Sequence, residues 1–66
     1  MGIGAILLLI SNLLPQIEDG VEEAVPLLQK LSGLVANLFH GKDPTPEEIQ
    51  AVQAARKLVV AAVNRG

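Results

Sequence analysis

The most restrictive feature of this chain is a spacing. Ile3, Leu7, Ile10, Leu14, Ile17, Val21, Ala24, Leu28, Leu31, Val35 and Leu38 follow one another at alternating steps of four and three residues. That interval keeps one side of an α-helix apolar, whereas a half-buried strand would alternate with a period of two. The stripe passes Pro15 and Pro26 without losing phase. With Leu7 at heptad position a, the two prolines fall at b and f, off the seam. Ile6, Leu13, Leu27 and Leu34 fall at g, which widens the apolar side beyond the needs of a two-stranded coil.

A proline inside a helix removes one backbone hydrogen bond and clashes with the preceding turn, at a cost of about 3 kcal/mol. The pattern therefore predicts one long helix over residues 3–39, divided into two or three collinear segments with breaks near residues 15 and 26. Gly20 and Gly33 weaken it further. In the first two heptads Leu stands at a and Ile at d, an arrangement that moves parallel coiled coils from dimers toward trimers or tetramers. The expected interface of a homo-oligomer, trimeric or larger, is Ile3, Leu7, Ile10, Leu14, Ile17, Val21, Leu28, Leu31, Val35 and Leu38.

Stop and restart signals follow. Phe39-His40-Gly41 places glycine just past the last apolar residue, as a left-handed helix cap requires, and Asp43-Pro44 does not continue a helix. Thr45-Pro46-Glu47-Glu48 then reads as a helix start, with Thr45 as N-cap, Pro46 at the first helical position and Glu48 closing a capping box. The expected organisation is a turn at 40–45 and a second helix over 46–64 that turns Ile49, Val52, Ala55, Val59, Ala62 and Val63 toward a neighbour. A short loop makes the two helices antiparallel, bringing Arg65 near Glu18, Asp19 and Glu22. The fold class is thus all-α: residues 1–66 form a single helical hairpin, built into an oligomeric coiled-coil bundle. At 1.5 Å per residue the long helix would reach about 55 Å and the short one about 28 Å, leaving the first half of the long helix without an intrachain partner. Ile6, Leu8, Leu9 and Leu13 in that half are the candidates for contact with lipid or with a larger protein assembly.

Composition narrows the function. Half of the 66 residues are hydrophobic, and a chain this short is marginal as an isolated monomer. A net charge of −2 lacks the positive excess that a phosphate backbone demands, so nucleic acid is not an expected partner. Without cysteine there is no disulfide, thiol nucleophile or thiolate metal site. The uncharged opening falls short of the roughly 18 to 20 apolar residues that span a bilayer, and it lacks the basic flank and cleavage pattern of a secretory signal. His40 and Asp43 supply at most two ligands, too few for zinc. Glu18, Asp19, Glu22 and Glu23 lack the ligand alternation of a calcium loop and read as a solvated acidic collar. Ser11 and Ser32 have no histidine at motif spacing, and the glycines form no phosphate loop. No catalytic, cofactor or metal residue is expected, and the chain is not read as an enzyme.

Two resemblances add to this reading. Gly2-Ile3-Gly4-Ala5-Ile6-Leu7, followed by Leu14-Pro15, resembles the amino-terminal half of the melittin family of membrane-lytic peptides. Glu18 and Asp19 stand where those peptides carry a cationic tail, so the resemblance implies no more than an interfacial apolar helix. An apolar first helix followed by Asp43-Pro44-Thr45-Pro46-Glu47-Glu48-Ile49 and Ala54-Ala55-Arg56 is similar to small helical-hairpin proteins of tailed bacteriophages and prophages. That resemblance implies a virion or assembly component and transfers no functional residue. The expected function is a structural protein that self-associates through its apolar stripe, in a virion or the cytoplasm. The alternative is a membrane-active oligomer, holin-like or pore-forming, that inserts its first helix.

Overall fold

The computed structural model describes residues 2–65, the last by its backbone alone, and contains three α-helices: α1 Ile3–Glu18, α2 Ala24–Phe39 and α3 Pro46–Arg65. No strand occurs among the described residues. Each helix packs on both of the others, and the longest dimension of the molecule is 37 Å. A single rod over residues 3–39 would need about 55 Å, so the long helix of the sequence reading is corrected to two helices that fold back on each other. The hairpin becomes a three-helix bundle.

The reversal is made at Gly20. Its φ of 88° lies in the left-handed region, which glycine enters without the Cβ penalty. The Gly20 amide donates to the Ile17 carbonyl at 3.1 Å and the Val21 amide to the Gln16 carbonyl at 3.0 Å, the paired bonds of a Schellman cap. The same two bonds recur at Gly41, whose φ is 74°: Gly41 donates to Leu38 at 3.1 Å and Lys42 to Asn37 at 2.9 Å. The chain thus closes α1 and α2 with the same device, once at each end of the bundle.

Neither proline breaks a helix. Pro15 lies inside α1 near its end, on the exposed side, where the carbonyl deprived of a donor faces water. Pro26 is the third residue of α2, within the first turn, whose amides have no intrahelical acceptor in any case. The breaks expected near residues 15 and 26 are therefore replaced by one turn over residues 19–23. The third helix begins at Pro46, and its capping box is reciprocal: the Glu48 amide donates to Thr45 Oγ1 at 3.2 Å, and the Thr45 amide to Glu48 Oε1 at 2.9 Å.

The core consists of Ile6 and Leu13 of α1, Ala24, Leu31 and Leu34 of α2, and Ala51, Val52 and Ala55 of α3. In heptad terms the buried centre lies at d and g, with position a on its edge. A helix that faces two neighbours must bury a wider arc than a seam, and here the g residues supply it. The alanines at 24, 51 and 55 leave little side-chain bulk between the backbones they separate. The expectation that the first helix lacks an intrachain partner is overturned, because α1 packs on both α2 and α3. The expected approach of Arg65 to Glu18, Asp19 and Glu22 lies outside the described residues.

Candidate interaction surface

The flanks of each helix can be assigned from their contacts. The Asn37 side-chain amide of α2 donates to Glu48 Oε2 of α3 at 2.9 Å, and Leu27 and Lys30 of α2 line a groove of about 490 Å³ with Ala54 and Leu58 of α3. The side of α2 bearing residues 27, 30 and 37 therefore faces α3. The opposite flank, carrying Val25, Leu28, Val35 and Phe39, is the α1 side. On α3 the flank bearing residues 54 and 58 faces α2, so α1 lies on the flank of Val52 and Val59. The connections of residues 19–23 and 40–45 are short, which makes successive helices antiparallel. With right-handed helices this course fixes the hand of the bundle. It puts Leu9 and Gln16 of α1 toward α3, and Ile3, Leu7 and Leu14 toward α2.

The outer edge between α1 and α2 is consequently an apolar surface. On α1 it carries Leu7, 47% exposed, Leu14, 48% exposed, and half-buried Ile3. On α2 it carries exposed Val25, half-buried Leu28 and Val35, and Phe39, which is 72% exposed. Charge is nearly absent: before Glu18 the described part of α1 has no ionisable side chain, and α2 has only Lys30, on the α3 side. Glu18, Asp19, Glu22 and Glu23 are all exposed at the end of the bundle formed by the first turn. His40 and Lys42 are exposed at the other end.

The residues expected to form an oligomer seam divide between core and edge. Leu31 is fully buried, and Ile10, Ile17, Val21, Val35 and Leu38 pack against the core from its margin. Ile3, Leu7, Leu14 and Leu28 remain available on the α1–α2 edge. Among the candidates for lipid or partner contact, Ile6 and Leu13 are corrected to core residues with no exposed surface, because α1 turns its g positions into the bundle. Leu9 packs against the core, and only Leu8 stands out, 64% exposed. Val25 and Phe39 escaped the sequence reading because neither lies on the stripe; Val25 follows Ala24 by one position and Phe39 follows Leu38 by one.

Among the described residues there is no group of three or more His, Cys, Asp and Glu side chains placed to hold a metal ion. The α2–α3 groove has an apolar floor including Pro26, Leu27 and Leu58, and its ionisable side chains, Glu23, Lys30 and Lys57, include no histidine or hydroxyl. No helix among the described residues is long and apolar enough to cross a membrane. Comparison with protein-family models, curated proteins and solved structures gave no match for this chain.

Proposed function

We propose that this protein is a non-enzymatic assembly element that self-associates through the α1–α2 edge. The observation that carries the reading is an apolar edge spanning two helices, uncharged up to Glu18 at its acidic end, on a chain of 66 residues. Exposed leucines scattered singly need no explanation, but a contiguous strip on so small a domain marks a contact surface. The strip holds the part of the heptad stripe that the intrachain core does not consume. A virion or prophage assembly is the setting implied by the sequence resemblance.

The competing reading, a membrane-active oligomer, draws on exposed Leu8 and the uncharged length of α1. Against it, α1 has 16 residues and would extend about 24 Å, short of a hydrocarbon core of about 30 Å. The acidic turn beside it would also be repelled by anionic headgroups. The test is molar mass by light scattering in detergent-free buffer, with and without phosphatidylcholine vesicles, for the parent chain and a Leu7→Lys/Leu14→Lys variant. Both positions are half exposed, so the variant keeps the core. A discrete oligomer that the variant loses and that ignores vesicles supports the proposal. A parent that is monomeric, or recovered only with lipid, overturns it.

A further inference from the structure

We infer that the α1–α2 edge pairs with a second copy of this chain about a two-fold axis running across the two helices, so that each helix meets its own counterpart antiparallel. This rests on the self-association reading and fixes its geometry. The first argument is spacing. The midpoint between Leu7 and Leu14 on α1 falls between Ile10 and Ser11, and the midpoint between Leu28 and Val35 on α2 falls between Leu31 and Ser32. Counted from the turn, Ser11 and Ile10 are seven and eight residues before Glu18, the last residue of α1 (18 − 11 and 18 − 10). Leu31 and Ser32 are seven and eight residues after Ala24, the first of α2 (31 − 24 and 32 − 24). In an antiparallel helix pair the two midpoints therefore share one height. A single two-fold axis through both sets Leu7 against the partner copy's equivalent of Leu14 and Leu28 against the equivalent of Val35. It also places exposed Ser11 and Ser32, both small, where the copies come closest.

Charge selects the same arrangement. A two-fold axis along the helices would gather the exposed Glu18, Asp19, Glu22 and Glu23 of both copies at one end of the dimer, and like charges set together across an interface are strongly disfavoured. An axis across the helices sends the two acidic turns to opposite ends. Each then lies beside the other copy's α2 terminus, where exposed Lys42 and Asp43 offset each other and leave no acidic excess, and beside its α1 amino terminus. That terminus has no side-chain cap, and its free amides carry the positive end of the helix dipole. Glu47 and Glu48 of that end belong to α3, behind the face.

The size is sufficient for a second copy. Two helices about 24 Å long, side by side across 18 Å, present a flat footprint of roughly 400 Å² per copy, or roughly 800 Å² for the pair, which surface relief raises toward the lower limit of about 1,000 Å² for a specific interface. Because the contact is isologous, each substitution acts twice.

The chain has no cysteine, so single thiols report orientation directly. Glu22 and Lys42 are both exposed and outside the core. A mixture of Glu22→Cys and Lys42→Cys proteins, treated with a short flexible bis-maleimide, is expected to give cross-linked dimer at least several-fold above either protein treated alone. Predominant Glu22→Cys homodimer, or no preference for the mixed pair, overturns the antiparallel geometry. Light scattering on the same samples separates the two levels of the argument. A dimer that Leu14→Lys weakens by about 100-fold or more, yet that cross-links homotypically, keeps the interaction surface and discards the axis. The absence of any dimer discards both.

Discussion

The side-chain amide of Asn37, in the last turn of α2, donates a 2.9 Å hydrogen bond to Glu48 Oε2, in the first turn of α3. The other carboxylate oxygen of Glu48 accepts the Thr45 amide at 2.9 Å. One half-buried carboxylate thus both caps α3 and ties it to the helix before it, across the connection that sets the angle between them. Its place at the amino end of α3 also suits the helix dipole.

Glu48→Ala removes the cap partner and the tie together and is expected to destabilise the fold by about 1 to 2 kcal/mol. Glu47→Ala, one residue away and exposed, should cost under about 0.5 kcal/mol. Urea denaturation of the single variants and of Asn37→Ala/Glu48→Ala gives the coupling, expected at about 0.5 to 1 kcal/mol. Simple additivity would mean that the Asn37 bond contributes nothing to the fold in solution.

Two glycines give opposite predictions. Gly20 holds a φ of 88°, so Gly20→Ala places a Cβ in the left-handed region and should cost about 1 to 2 kcal/mol. Gly33 lies within α2, and a Cβ built on it meets nothing within 4 Å. Gly33→Ala should therefore stabilise by about 0.5 to 1 kcal/mol through helix propensity. Thermal unfolding followed by circular dichroism reads both. A harmless Gly20→Ala would show that α1 and α2 can join without the left-handed cap.

Gly20 also marks the limit of what was legible. Helical periodicity, the cap at Gly41 and the capping box of Thr45 and Glu48 are local chemistry, and each stands where its residues announce it. The turn at Gly20 uses the same chemistry as the one at Gly41, with an apolar residue, Val21, just beyond the glycine. It was hidden because the four-three spacing continues through Ile17, Val21 and Ala24 as though no turn intervened. A heptad phase records which side of a helix is apolar and not whether the next segment continues or reverses. The prolines misled for a related reason, since their cost depends on position: Pro26 falls in a first turn and Pro15 on a solvated side. Of the apolar α1–α2 edge, Ile3, Leu7, Leu14 and Leu28 lie on the stripe and are legible in the sequence. Val25 and Phe39 join it only through the packing of α2 beside α1.

The division of the first helix between core and edge is open to a direct check. Leu13 has no exposed surface, and Leu13→Ala is expected to cost about 2 to 5 kcal/mol, enough to unfold a chain of this size in large part. Leu8 points away from the bundle, and Leu8→Ala should change stability by under about 0.5 kcal/mol. Chemical denaturation ranks the two. Equal effects would mean that α1 buries a different side from the one described.

Gln16 is the one buried polar side chain among the described residues. It is 7% exposed, its Nε2 donates a long 3.4 Å bond to the Asn12 carbonyl, and its Oε1 has no hydrogen-bond partner within the protein. A buried acceptor left unpaired costs about 1 to 3 kcal/mol, whereas an apolar side chain of similar shape in the same place carries no such penalty. Gln16→Met preserves length and flexibility while removing the amide, so it is expected to raise stability by about 1 kcal/mol and the unfolding midpoint with it. The same substitution lies on the α3 side of α1, away from Leu7 and Leu14, so the mass measured by light scattering should not change. A loss of stability in Gln16→Met would show that the amide oxygen is satisfied in solution, and a change in mass would show that the α1–α3 side takes part in association.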